Sequence, residues 1–161
     1  MQVDQFNALP ADDARALVAG WLCVRRWVDG LVEGRPYPDV ATLHQHAHDS
    51  ALELTDHELA SALSRHPRIG EQRDTDDAAS RHSRSEQSGV RAADAARLRA
   101  ANATYEQRFG HVFLVRAAGR SSVQILAELQ RRLGNDADDE RAETVTALRD
   151  IALIRLGQEV R

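Results

Sequence analysis

The chain of 161 residues is long enough to bury a core without staples, and we expect one domain over residues 1–161. All 21 of its Lys and Arg residues are arginine, so no lysine amine is available for a Schiff base with a substrate or pyridoxal phosphate. The net charge of −4, with both signs interspersed, argues against a nucleic-acid-binding surface.

Cysteine content and apolar runs indicate the compartment. The single cysteine, Cys23, cannot form an internal disulfide, and its apolar helical surroundings predict a buried core thiol. The longest apolar run is far short of a membrane span, and the N-terminus lacks the basic and apolar zones of a signal peptide. We therefore expect a cytoplasmic protein with no membrane partner and no nucleic-acid partner.

The first predicted helix begins near Pro10 and carries apolar residues at three- and four-residue spacings as far as Leu31. Pro36 and Pro38 must end this pattern, because proline cannot continue a helix. A second helix is predicted from about Asp39. Its inward face consists of apolar residues at helical spacing, namely Val40, Leu43, Ala47 and Ala51.

A capping box is predicted at the start of the third helix, where Thr55 and Glu58 each satisfy a backbone donor of the first turn. This helix is predicted to end at His66-Pro67, because the residue before a proline is pushed out of the α region. His66 is therefore expected where a helix gives way to an extended turn, with its ring free to face a cleft. Most of the seven histidines should be surface or capping groups, so this position alone does not assign a catalytic role.

Residues 71–82 are polar and predict a loop. Helix is expected to resume near Ser83 and to run to Phe109, where Gly110 suits the left-handed residue past a helix end. The start of this helix has two interpretations. Ser83 and Glu86 fit a second capping box, whereas the same N–H groups and carboxylate could meet an anionic ligand.

The C-terminal third predicts two more helices. The apolar run Phe113-Leu114-Val115 is too short to distinguish a strand from a buried loop. Ser121 starts a helix that is stopped by Gly134, and the acidic residues 138–140 suit the N-terminus of the last helix. The inward face of the first of these helices is predicted to contain Val123, Leu126, Leu129 and Leu133.

The predicted fold class follows from these elements. We expect an all-α, single-domain helical bundle of about six to eight helices, with one short extended segment near residues 111–116. On the last helix, Arg155 falls on the same face as Leu148 and Ala152. A buried guanidinium must be paired, since an unpaired buried charge costs roughly several kcal/mol. Its expected partner is Glu86 or the carboxylate of a ligand.

His44, His46 and His48 raise the question of a metal site. His44 and His48 share a helix face, but no cysteine and no Glu general base of the His-Glu-x-x-His kind accompanies them. Solvated helix side chains are the simpler interpretation. We expect no metal.

Five short motifs follow one another along the chain. They are His66-Pro67-Arg68-Ile69-Gly70, Ser83-Arg84-Ser85-Glu86-Gln87-Ser88-Gly89, Asn102-Ala103-Thr104-Tyr105, Phe109-Gly110 and Ile154-Arg155-Leu156. This order of motifs resembles that of the OHCU decarboxylase family, whose members catalyse the last step of the route from urate to allantoin. The resemblance covers nearly the whole chain, although His111-Val112-Phe113 replaces the usual Phe-Pro-Phe.

The resemblance implies a carboxy-lyase that converts 2-oxo-4-hydroxy-4-carboxy-5-ureidoimidazoline to (S)-allantoin and CO2 without a cofactor. It implies His66 as the catalytic acid/base and proton donor, and Glu86 and Arg155 as catalytic residues that position the substrate. The substrate-binding residues that it implies are Pro67, Ser83, Arg84, Ser85, Glu86, Gln87, Phe113, Leu114, Val115, Arg116 and Ala117.

The expected partner is the small-molecule ureidoimidazoline substrate, and the oligomeric state, with a homodimer as one alternative, stays open. Two other functions also stay open. The chain could be a non-catalytic helical binding module, in which the His-Pro turn and the capping boxes are structural only. It could also be a metal-binding regulatory bundle that uses the histidine cluster.

Overall fold

The computed structural model of the chain describes residues 1–66, 68–69, 92–117 and 119–161. Eight α-helices and no strand lie in these residues, which confirms the prediction of an all-α protein. None of the described helices combines the length and the apolar character that a membrane crossing requires. The helices are α1 (Val3–Ala8), α2 (Ala11–Trp21), α3 (Arg25–Glu33), α4 (Val40–Leu52), α5 (Asp56–Leu63), α6 (Ala92–Phe109), α7 (Ser122–Arg132) and α8 (Ala137–Glu159).

The chain divides into two compact units. Unit 1 consists of Met1–Leu63 and Arg141–Arg161, and unit 2 consists of Ser64–Glu140. Unit 1 therefore holds α1 to α5 and most of α8, whereas unit 2 holds α6, α7 and the first turn of α8. The expectation of a single domain over residues 1–161 stays a prediction.

Unit 1 departs from the predicted helices near its start. A short helix, α1, precedes the predicted first helix. The predicted first helix is itself interrupted, because the chain is extended at Leu22 and Val24. Leu22 and Val24 are buried while Cys23 between them is exposed, which is the side-chain alternation of an extended chain. The prediction of Cys23 as a core thiol is therefore wrong. The interruption separates α2 from α3, which pack against each other.

Two buried aromatic residues of unit 1 satisfy their polar atoms with backbone carbonyls. Trp27 donates from Nε1 to the carbonyl of Ala47 at 3.0 Å, and Tyr37 donates from Oη to the carbonyl of Leu31 at 2.9 Å. Burial raises the pKa of Tyr37 to about 12, so its hydroxyl keeps its proton at neutral pH. These bonds tie α3 to α4 and to the loop between them.

The core of unit 2 lies between α6, α7 and the loop that joins them. Residues 111–117 of this loop belong to no helix or strand, so the apolar run predicted as strand or buried loop is a buried loop. The ring of Phe113 meets the ring of Tyr105 edge-on, with centroids 5.2 Å apart. The buried members of this core are Leu98, Tyr105, Phe113, Val115, Ile125 and Leu129.

Two features predicted at helix ends are present in the structure. The backbone N–H of Thr55 donates to Glu58 Oε2 at 2.9 Å, and the N–H of Glu58 donates back to Thr55 Oγ1 at 3.3 Å, as in a capping box. Gly110 has φ of 76°, the left-handed conformation expected past the end of α6.

On α7 the predicted inward residue Val123 is 65% exposed, and Ile125 is buried instead.

Candidate functional site

His66 lies in a turn just beyond α5. The helix ends at Leu63, slightly before the predicted end at His66-Pro67, and the turn covers residues 64–66. The imidazole is half-buried. Pro67, a predicted substrate-binding residue, lies outside the described residues.

The chain next to His66 is anchored on α6. Asn102, buried on that helix, donates from Nδ2 to the carbonyl of Ile69 at 3.1 Å, and Ile69 also packs against the unit 2 core. Arg68 donates two hydrogen bonds to Glu106, from Nε to Oε1 at 2.6 Å and from Nη2 to Oε2 at 2.9 Å. These contacts fix the position, along α6, of the backbone that follows His66.

The carboxylate segment of the predicted site lies outside the described residues. Both interpretations of this segment, as a capping box and as a substrate contact, therefore stay predictions. The predicted site residues concerned are Ser83, Arg84, Ser85, Glu86 and Gln87.

The second predicted binding segment runs from the core to the surface. Phe113, Leu114 and Val115 are buried, whereas Arg116 and Ala117 are exposed. Packing therefore uses the first three side chains, and the binding role of this segment stays a prediction.

Arg155 lies on the part of α8 that belongs to unit 1. Its half-buried guanidinium donates from Nη1 to the carbonyls of Trp21 at 3.0 Å and Gly20 at 3.4 Å, at the C-terminal end of α2. A cation is stabilised there by the helix dipole. Burial lowers the pKa of Arg155 from its ordinary value, yet arginine stays protonated at neutral pH. Its hydrogen-bond partners in the described part of the chain are carbonyl oxygens, and the expected carboxylate partner stays a prediction.

The three histidines of α4 have separate environments. His46 Nδ1 lies 2.8 Å from Tyr37 Oη, and His48 Nδ1 lies 2.9 Å from Asp49 Oδ1. Burial lowers the pKa of His44. Within the described residues, no three His, Cys, Asp or Glu side chains are grouped so that they could hold a metal ion. The absence of a metal requirement remains a prediction that chelation tests.

A buried ion pair in unit 2 was not predicted from the sequence. Arg132, at the end of α7, binds Glu140, in the first turn of α8, and both side chains are almost fully buried. The acid at position 140 was predicted only as a favourable charge near a helix N-terminus. A signal was present, because Arg132 continues the stripe of Ile125 and Leu129 at helical spacing, and a charge on an apolar stripe requires a partner.

The helical fold is similar to that of two solved structures. A crystal structure of (S)-allantoin synthase matches 99% of this chain and 54% of its own, with a TM-score of 0.78 and 14% sequence identity. A crystal structure of OHCU decarboxylase in the presence of (S)-allantoin matches 87% of this chain and 94% of its own, with a TM-score of 0.71 and 18% identity. At these identities the likeness establishes the fold.

Sequence similarity establishes the family. A 2-oxo-4-hydroxy-4-carboxy-5-ureidoimidazoline decarboxylase from Amia calva is 38% identical over 65 residues, which are 40% of this chain and 37% of that protein. A uric acid degradation bifunctional protein from Bacillus sp. (strain TB-90) is 24% identical over 160 residues, 98% of this chain and 32% of that protein. The matches thus span about a third of the length of these relatives. Residues 7–157 match the model of the OHCU decarboxylase family, and the chain belongs to that family.

Proposed function

We propose that the chain is a carboxy-lyase that converts 2-oxo-4-hydroxy-4-carboxy-5-ureidoimidazoline to (S)-allantoin and CO2 without a cofactor, as the last step of urate oxidation. The family match over residues 7–157 carries this proposal. The names of the two sequence relatives, one a decarboxylase of this compound and one a protein of uric acid degradation, support it.

The reaction requires little of the protein, because the substrate carries its own electron sink. The carbon that bears the carboxylate adjoins a C=N bond. Decarboxylation breaks the bond to the carboxylate, releases CO2 and moves the electron pair to the nitrogen of the C=N bond, which takes up a proton as the enol-like intermediate forms. A proton then adds to the carbon that holds the ureido group, and the enol hydroxyl loses its proton as the carbonyl of allantoin forms. Many decarboxylases obtain such a sink from a cofactor instead.

In this proposal His66 donates the proton to the ureido-bearing carbon. The anchoring of the adjoining backbone on α6, through Asn102 and Ile69, supports the role because a proton donor must be held in position. The side of the ring from which His66 approaches would set the handedness of the product.

Glu86 and Arg155 have the proposed role of positioning the substrate. Glu86 would accept hydrogen bonds from the ureido or hydroxyl groups, and Arg155 would bind a polar or anionic group. The half-buried guanidinium of Arg155 supports this, because its bonds to the described residues use Nη1 alone, and Nε and Nη2 form a fork that matches a carboxylate. The cytoplasmic location and a homodimeric assembly also stay predictions, and light scattering on the purified protein tests the second.

A coupled assay tests the proposed function. The chelator-treated protein is added to freshly made uricase product, and we expect the ultraviolet absorbance of that product to decay faster and dextrorotatory allantoin to accumulate. Unchanged decay, or racemic allantoin, would contradict the proposal and favour a non-catalytic binding module. Loss of activity on chelation would favour a metal-dependent protein instead.

A further inference from the structure

The ion pair of Arg132 and Glu140 is the most deeply buried charge cluster among the described residues. Their side chains are 2% and 1% exposed. Arg132 Nε donates to the two carboxylate oxygens at 2.9 and 3.1 Å, and Nη2 also binds Oε1. Tyr105 donates its hydroxyl to Glu140 Oε1, and Asn135 donates from Nδ2 to Oε2 at 2.9 Å. Both carboxylate oxygens are therefore hydrogen-bonded.

The guanidinium also binds the loop that precedes α7. Arg132 Nη1 donates to the carbonyl of Leu114 at 2.7 Å, and the guanidinium carbon lies 4.9 Å from the centre of the Phe113 ring. The loop of residues 111–117 has no helix or sheet hydrogen bonds of its own, so buried backbone groups in it need partners from side chains. Arg132 supplies that partner.

Stability alone is a weak explanation for this cluster. Replacement of a buried ion pair by uncharged residues of similar volume is often neutral or stabilising, because the desolvation of two charges offsets their attraction. A planar guanidinium that bridges a carboxylate and a loop carbonyl does, however, fix the loop in one position.

We propose that Arg132 is a positioning residue, held by Glu140 and fixing the backbone of residues 113–117 in the conformation that binds substrate. This inference rests on the proposed function, since the binding role of the segment belongs to it. Arg132 itself touches no reacting atom. It acts through the Leu114 carbonyl.

The double variant Arg132→Met with Glu140→Gln tests the proposal. It removes both charges together, keeps an amide oxygen to accept from Tyr105, and leaves the Leu114 carbonyl without its donor. We expect the melting temperature to fall less than in Arg132→Met alone, because no unpaired buried charge is left. KM should rise roughly tenfold, less than the about 10²-fold cost of a 1 Å misplacement. The value of kcat should change less than KM.

The matched control is Arg131→Met with Glu128→Gln. It makes the same chemical changes at a more exposed ion pair within α7, whose side chains are 51% and 25% exposed. We expect wild-type KM and kcat for this variant. A second test variant, Arg132→Lys, keeps a cation for Glu140 but loses the fork that also reaches Leu114, and KM should again rise. If the double variant does not fold, the KM of Arg132→Lys tests the positioning role instead.

Hydrogen exchange separates this inference from the proposed function. Amides of residues 113–117 should exchange faster in both Arg132 variants and at the wild-type rate in the Arg131 control, whatever the activity. An inactive wild type would overturn the proposed function and leave the exchange result to decide on positioning. An active wild type with unchanged KM and unchanged exchange in the folded Arg132 variants would overturn the positioning role alone.

Discussion

Arg132 in unit 2 and Arg155 in unit 1 both lie on apolar helix faces, and both donate to backbone carbonyls, but their surroundings differ. Arg132 is buried, and Glu140 neutralises it within unit 2. Arg155 is half-buried, and its partners among the described residues are the carbonyls of Gly20 and Trp21.

An arginine on an apolar helix face can have two roles. A guanidinium whose donors are occupied by protein groups fixes structure, as Arg132 does for the loop at Leu114. A guanidinium that meets only neutral carbonyls keeps its net charge, so an anionic ligand can still be attracted to it. The same sequence signal, an arginine on an apolar stripe, therefore leads to a positioning role in one place and to a proposed binding role in the other.

The largest effect is expected where a group serves chemistry and not folding. His66→Asn should lower turnover by roughly 10²–10⁴-fold, as is typical for a positioned acid–base group, because asparagine cannot donate the proton. The thermal midpoint should stay nearly unchanged. Initial rates and thermal melts of the same preparations check this. A variant that melts much earlier but keeps its activity per folded molecule would make His66 a structural residue.

Single substitutions of the two arginines should lower the free energy of unfolding by different amounts. Arg132→Met leaves Glu140 buried without its cation and should cost about 3–5 kcal/mol in the free energy of unfolding. Arg155→Met loses bonds to the carbonyls at the C-terminal end of α2 and should cost about 1 kcal/mol or less. Urea unfolding of both variants measures the difference. Equal losses of stability would break the distinction between the two arginines.

Conservative changes at the proposed substrate groups should reduce turnover with little loss of stability. Glu86→Gln keeps the hydrogen bond of a capping box but removes the charge, and Arg155→Lys keeps the charge but loses the planar fork. We expect each to lower turnover roughly tenfold or more, equivalent to about 1.4 kcal/mol of barrier. Full activity in Glu86→Gln would leave that carboxylate with a capping role only.

The smallest effect concerns a partly exposed ion pair of unit 1. Arg26 binds Glu58 through two bonds, and this pairing lowers the pKa of Glu58 from 4.5 to about 2. Because the folded-state pKa is the lower one, the pair stabilises the fold above pH 4.5, and this stability is lost as the pH falls toward about 2. Glu58→Gln should therefore cost about 0.5–1 kcal/mol at neutral pH, and progressively less in acid.

The control for that change is Glu33→Gln, which makes the same substitution at an exposed residue of α3. Its effect on the free energy of unfolding should be close to zero from pH 2 to 7. A loss in Glu58→Gln that does not shrink in acid would mean that the ion pair with Arg26 is not its cause.

Features that depend on neighbouring residues could be predicted from the sequence. The capping box of Thr55 and Glu58, the left-handed Gly110 and the end of α5 before Pro67 all follow from local backbone chemistry. The position of His66 beyond a helix was predictable for the same reason.

Features that depend on packing could not be predicted. The apolar residues between α2 and α3 fit a helical spacing as well as the alternation of an extended chain, so Leu22 and Val24 gave no local sign of the interruption. Glu140 lies in an acidic first turn that the helix dipole already explains, and only its approach to Arg132 in the folded unit reveals its second role.

The handedness of the allantoin formed by the wild type and by His66→Asn tests the central claim most directly. Circular dichroism of the product should show dextrorotatory allantoin from the wild type at an accelerated rate. The His66→Asn protein should give racemic allantoin near the rate of the spontaneous reaction, because protonation from water has no preferred face. Dextrorotatory allantoin at the wild-type rate from His66→Asn would contradict the assignment of His66 as the proton donor.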